Sequence, residues 1–179
     1  AMSMSDPDLT AVTPKKVLTK GIRMAAVVPS MVAAHHRIRN GLSPVQPDKT
    51  LDYASSFLYL LFGERPDPQD AKLLDKDFVL HAEHGSNAST FAARVAASTG
   101  ADYYAAMTSA VAVLKGPKHG GAAEAVMQMV QEVGSEENAE SYVDSVTSNR
   151  GRIPGFGHPV YQDLDPRSVH LKADAKALG

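Results

Sequence analysis

Lys115-Gly116-Pro117-Lys118-His119-Gly120-Gly121-Ala122 separates two apolar, alanine-rich segments, each long enough for a helix. Pro117 stops the first segment, because proline inside a helix lacks the N–H donor and clashes with the preceding turn. Gly120 and Gly121 let the backbone turn sharply, or let another group approach it closely. Between breaker and glycines stands His119, and imidazole is the side chain best suited to move protons near neutral pH. A helix corner with an incidental histidine is the plain alternative.

Helical signals continue on both sides of this corner. Residues 15–39 have helical composition, with Pro29 either kinking one helix or opening a second. His35 and His36 are adjacent, point to different faces and read as surface or boundary residues. Asn40-Gly41 ends that helix. Residues 51–62 form a short amphipathic helix, and Asp67-Pro68 caps and opens another that runs to about Leu80. Gly85 stops it, and Ser86 or Asn87 caps the next, 88–98. Asp102 opens a further helix to Leu114. These last two are alanine-rich nearly all round, which predicts the centre of the fold and a homodimer interface.

Beyond the corner, Ala122, Ala125, Val126, Met129, Val130 and Val133 recur at i, i+3, i+4, i+7, i+8 and i+11, a helical stripe that Gly134 ends. Ser135, followed by Glu136 and Glu137, starts another helix with acids at its positive end. Asp165-Pro166 opens the last, still helical at Leu178. Strand signals are nearly absent, so the expected class is all-α. Residues 1–14 are polar and proline-punctuated and read as a disordered tail.

The chain of 179 residues supports one domain or one and a fraction. With 18 Lys and Arg against 20 Asp and Glu there is no basic excess pointing to nucleic acid. By inspection no apolar run approaches the roughly eighteen residues of a membrane span, and no secretory leader is evident. No cysteine is present, which removes disulfides, thiolate metal sites and a cysteine nucleophile; a cytoplasmic location is the expectation.

His84, His119 and His158 each sit beside a glycine at a break between helices, where an imidazole can meet a ligand while the scaffold stays rigid. Arg167 follows Asp165 as cap and Pro166 as first helical residue. A cation there opposes the helix dipole, at a position whose free N–H groups favour anions. It reads either as a carboxylate or phosphate site or as a surface arginine paired with Asp163 or Asp165. Gly155-Phe156-Gly157 follows no strand and lacks a third glycine, so it fails as a dinucleotide motif, although such a loop can present backbone groups to a flat ring. His81 and His84, with His119 or Glu124, make a metal hypothesis; the zincin pattern is absent and no metal is expected. Gly-x-Ser-x-Gly is absent too.

His81-Ala82-Glu83-His84-Gly85-Ser86-Asn87-Ala88-Ser89-Thr90, then Gly116-Pro117-Lys118-His119-Gly120-Gly121, then Gly155-Phe156-Gly157-His158-Pro159-Val160-Tyr161 with Asp165-Pro166-Arg167, resemble the citrate synthase family in order and spacing. The likeness extends from about Ile22 and includes the stretch from Ala33 to Gly41. It implies an all-α, multihelical fold, truncated, with residues 15–118 from a large domain carrying the dimer interface and 119–179 from a small acyl-CoA-binding domain. It implies condensation of acetyl-CoA with oxaloacetate to citrate and CoA, with no permanently bound cofactor. A 2-methylcitrate synthase using propionyl-CoA is the near variant, and a non-catalytic helical dimerisation or binding module is the alternative.

In the resemblance His119 donates a hydrogen bond to the thioester oxygen and His158 polarises the oxaloacetate ketone. His84 and Arg167 hold oxaloacetate, Asn87 lines the same site or merely caps a helix, and Ile153, Pro154, Gly155, Phe156 and Gly157 receive the adenine of coenzyme A. The family's aspartate base and two further arginines fall outside these residues, so this stretch alone is expected to be inactive. Ala123 replaces a usual asparagine. Pro159 stands where arginine is common, and Gln162 where a basic residue often meets the coenzyme A phosphate.

Overall fold

The computed structural model describes residues 2–157 and 161–178, the last two by backbone alone. Among the described residues the regular structure is helical: α1 (Pro14–Arg39), α2 (Tyr53–Phe62), α3 (Pro68–His81), α4 (Ala88–Ser98), α5 (Tyr103–Leu114), α6 (Gly121–Val133), α7 (Ala139–Ser148) and α8 (Pro166–Leu178). Internal contacts divide the chain into two compact units. One comprises Ala1–Leu9 with Gly85–Leu164, the other Thr10–His84 with Asp165–Gly179. The boundary expected between Lys118 and His119 falls inside the first of these.

In the unit holding α1, α2, α3 and α8, α1 is one helix that carries Pro29 in its interior. Its length and composition suffice to cross a membrane, which the reading of uninterrupted apolar runs did not register because Pro29 and Ser30 break the stretch. α2 packs on α1, and Ala33 on α1 and Ala54 on α2 are each 1% exposed; Leu60 is also buried. The Tyr53 hydroxyl donates to the Ala25 carbonyl at 2.8 Å. Tyr53 and Phe57 meet the ring of Phe78 on α3 edge to face, at 5.4 and 6.0 Å between centroids, the geometry that the ring quadrupoles favour. Arg37 donates to the carbonyls of Ser43 and Leu61, placing a cation at the negative end of α2. Gly63 caps that end at φ 92°, and a Cβ there would stand 3.0 Å from the Arg37 guanidinium. Lys76 on α3 holds Asp174 on α8 at 2.6 and 2.8 Å.

In the other unit α4 and α5 lie against each other. Alanines at 92, 93, 96, 97, 105, 106 and 110 keep both helices slim, so the backbones can approach. α5 supplies the buried Tyr104, Ala106 and Ala110, whereas α4 has no buried residue. The predicted centre is therefore half realised: the pair packs together, yet Phe91, Val95 and Val111 remain exposed. Within the stretch read as a tail, Met2–Ser5 forms a 3-10 turn and Asp6 is buried, accepting from the Tyr104 hydroxyl at 2.9 Å. A carboxylate leaves water only where donors replace its hydration, and Tyr104 with the Asp8 amide does so.

Caps explain the boundaries: those expected at Asp67, Asn87 and Asp102 form, and Asp52, not expected as one, starts α2 at Tyr53 rather than at 51. Asp52, Asp67, Asn87 and Asp102 each accept from an N–H of the following first turn. Glu136–Asn138 instead forms a 3-10 turn before α7, where one helix from Ser135 was expected. Asn138 donates its side-chain amide back to the Val133 carbonyl, which holds the chain in that turn.

Candidate active site

The corner after α5 is built by close approach. A Cβ on Gly120 would stand 2.6 Å from the Leu114 carbonyl oxygen, and one on Gly121 2.9 Å from that of Gly116. Neither contact leaves room for a side chain. The turn they permit delivers His119, half-buried, with Nε2 2.9 Å from the Ser89 hydroxyl oxygen in the first turn of α4. Ser89 in turn donates to Asn87 Oδ1 at 2.7 Å, and the same oxygen caps α4 by accepting from the Thr90 amide at 3.0 Å.

This relay constrains the proton on His119. Ser89 has a single hydroxyl hydrogen, and Asn87 Oδ1 can only accept. With that hydrogen on Asn87, the Ser89 oxygen accepts from Nε2–H. With Ser89 turned to Nε2, the neutral imidazole carries its proton on Nδ1. The direction of one hydroxyl therefore sets which face of His119 donates. In the sequence Ser89 shows itself only as a hydroxyl two residues past a cap, a common helix-start pattern that carries no functional signal.

His84 and Arg167 belong to the other unit. At the start of α8, Asp165 accepts from the Arg167 backbone amide at 2.9 Å and from its guanidinium at 2.6 to 3.2 Å. The Arg167 hydrogen bond lowers the Asp165 pKa to about 2, and the charge of His84 adds a smaller pull. Of the two acidic partners expected for a paired Arg167, Asp165 is bonded to it. His81 turns to its own helix, with Nδ1 2.9 Å from the Asp77 carbonyl oxygen and 3.1 Å from its carboxylate.

The loop of Ile153, Pro154, Gly155, Phe156 and Gly157 returns to the unit of His119. Gly155 adopts φ 83°, and its missing Cβ makes room for Val126 of α6, 3.0 Å from where that atom would stand. Ile153 and Phe156 then line an apolar cleft of about 450 Å³ with Met129, Val130, Val133 and Tyr142. His158, expected to polarise a ketone, lies outside the described residues, as does Pro159.

Comparison with known proteins bears on the whole chain. The family model for the citrate synthase C-terminal domain matches residues 1–179. Citrate synthase of Synechocystis sp. is 52% identical over 165 residues, covering 92% of this chain and 42% of that protein. The 2-methylcitrate synthase of Mycobacterium tuberculosis is 44% identical, over 89% of this chain and 41% of its own length. The solved citrate synthase of Thermoplasma acidophilum, in ternary complex with carboxymethyl coenzyme A and oxaloacetate, is 30% identical, with a TM-score of 0.89 over 99% of this chain and 46% of that one. The chain thus spans less than half the length of these relatives. The multihelical expectation agrees with them, and the chain belongs to the citrate synthase family.

Proposed function

We propose that this chain supplies part of the active site of an enzyme that condenses acetyl-CoA with oxaloacetate and releases citrate and coenzyme A. The observation that carries the reading is the anchored imidazole: His119 is fixed through Nε2 by Ser89 and Asn87, which leaves Nδ1 for a reacting group. In the condensation the acetyl methyl group loses a proton to a base and negative charge gathers on the thioester oxygen. The resulting carbon attacks the ketone carbon of oxaloacetate, whose oxygen takes up a proton, and water then cleaves the thioester. A preorganised donor at the thioester oxygen is worth most at the moment that charge develops. His119 provides it from Nδ1 once Ser89 turns its hydroxyl to Nε2.

His158 is the donor proposed for the ketone oxygen. His84 and Arg167 are proposed to hold oxaloacetate, with Asp165 fixing the plane of the guanidinium. The aspartate base is expected outside these residues. A homodimer is part of the proposal, supported by the exposed Phe91, Val95 and Val111 on the alanine-rich pair α4 and α5.

The test is thiol release from acetyl-CoA and oxaloacetate by the longer protein containing these residues. Release that needs both substrates supports the reading, and no release from either acyl-CoA overturns it. The likeness to a 2-methylcitrate synthase favours including propionyl-CoA as a second substrate; the ratio of the two kcat/KM values assigns the acyl preference.

A further inference from the structure

A helix in a folded protein is usually held by a buried apolar face. α8 offers none: up to Lys176 no side chain on it is buried, and Val169 is 60% exposed. It nonetheless lies against α3 in the same unit. Lys76 of α3 reaches Asp174 of α8 there, with Nζ 2.6 and 2.8 Å from the two carboxylate oxygens. No acid stands three or four residues from Lys76, and no lysine or arginine three or four from Asp174. Neighbours at helical spacing on their own helices therefore do not compete for either charge. Asp174 is 19% exposed, which shelters the pair in part from screening by salt.

The pair matters because of what the two helices carry at their ends. α3 ends at His81, with His84 three residues on, and α8 opens with Pro166 and Arg167. Between these ends stands Asp165, bonded to the Arg167 guanidinium and drawn on by the charge of His84. Lys76 lies about a turn and a half before the end of α3, and Asp174 about two turns past Arg167. Two helices that meet at one end alone can pivot about it. A second link farther along both removes that freedom.

We propose that Lys76 and Asp174 are positioning residues for oxaloacetate: their bond fixes the angle between α3 and α8, and with it the separation of His84 and Arg167. This rests on the function proposed above, in which those two side chains hold the substrate. Small misplacements of binding groups weaken a site even when they arise far from it. The competing account is a surface ion pair that contributes only to stability, which moves the melting temperature and leaves substrate affinity alone.

Steady-state kinetics of the longer protein, varying oxaloacetate and acetyl-CoA in turn, separates the two alongside melting curves. Lys76→Met should raise KM for oxaloacetate about threefold, the scale of a partly exposed ion pair, with kcat and KM for acetyl-CoA close to the parent's. Asp174→Asn should do the same, and the double variant should be little worse than either alone. Lys76→Arg, which keeps the charge, should recover most of the loss. If Lys76→Met and Asp174→Asn melt lower but keep the parent's KM for oxaloacetate, the proposal is overturned and the family reading stands. A parallel rise in both KM values overturns it too. If the parent releases no thiol from acetyl-CoA and oxaloacetate, both fall.

Discussion

His119 Nε2 lies 2.9 Å from Ser89 Oγ, and Ser89 hands its one hydroxyl hydrogen to Asn87 Oδ1 2.7 Å away. A serine placed so can set the proton position of the imidazole without touching substrate. Ser89→Ala should lower kcat about tenfold or more, roughly 1.4 kcal/mol of transition-state stabilisation, while the melting temperature stays close to the parent's. Ser89→Thr, which keeps the hydroxyl, should recover much of the rate. Steady-state kinetics beside thermal melts checks both.

Asn87 serves two purposes, and substitution separates them. Asn87→Ala removes the cap on the Thr90 amide and the acceptor that competes for the Ser89 hydrogen, and should destabilise by about 1 kcal/mol while leaving kcat undiminished, since Ser89 is then free to donate to His119. Asn87→Asp keeps an acceptor for both donors and should retain the stability. Chemical denaturation reads the first effect and kinetics the second.

Asp165 makes the fold sensitive to acid. Its folded pKa of about 2 lies below the ordinary 3.8 because Arg167 donates to it, so the ionised carboxylate favours the folded state. That contribution is complete above the ordinary pKa and is lost as pH falls from about 4 through about 2. Asp165→Asn should therefore lower the melting temperature near neutrality, and the gap from the parent should close over that same window.

Gly120 and Gly85 should respond differently to alanine. At Gly120 the new Cβ meets the Leu114 carbonyl oxygen at 2.6 Å and its side chain at 2.9 Å, and relief must move backbone, at about 1–3 kcal/mol. At Gly85 no atom lies within 4 Å, and only φ 62° opposes the change, at about 1 kcal/mol. Melting curves should rank Gly120→Ala as the more damaging.

Much of the helix pattern was legible because caps and breakers act locally. Asp67, Asn87, Asp102 and Gly134 mark their boundaries through hydrogen bonds or conformations that span only a few residues. Pro29 left two readings open because a helix can continue through proline where its neighbours compensate, and here α1 does. The partners of the site residues were less legible. His119 and Ser89 are thirty positions apart, and no periodicity reports a contact of that separation. Asp165 was visible as one of two acidic partners for Arg167, but only the folded turn shows which carboxylate the guanidinium takes.

The most direct measurement is thiol release from acetyl-CoA and oxaloacetate with His119 replaced by alanine in the longer protein. Losing the donor aimed at the thioester oxygen should lower kcat by about 10²–10³, with the fold intact by circular dichroism. A His119→Ala protein that turns over at the parent's rate would contradict the account.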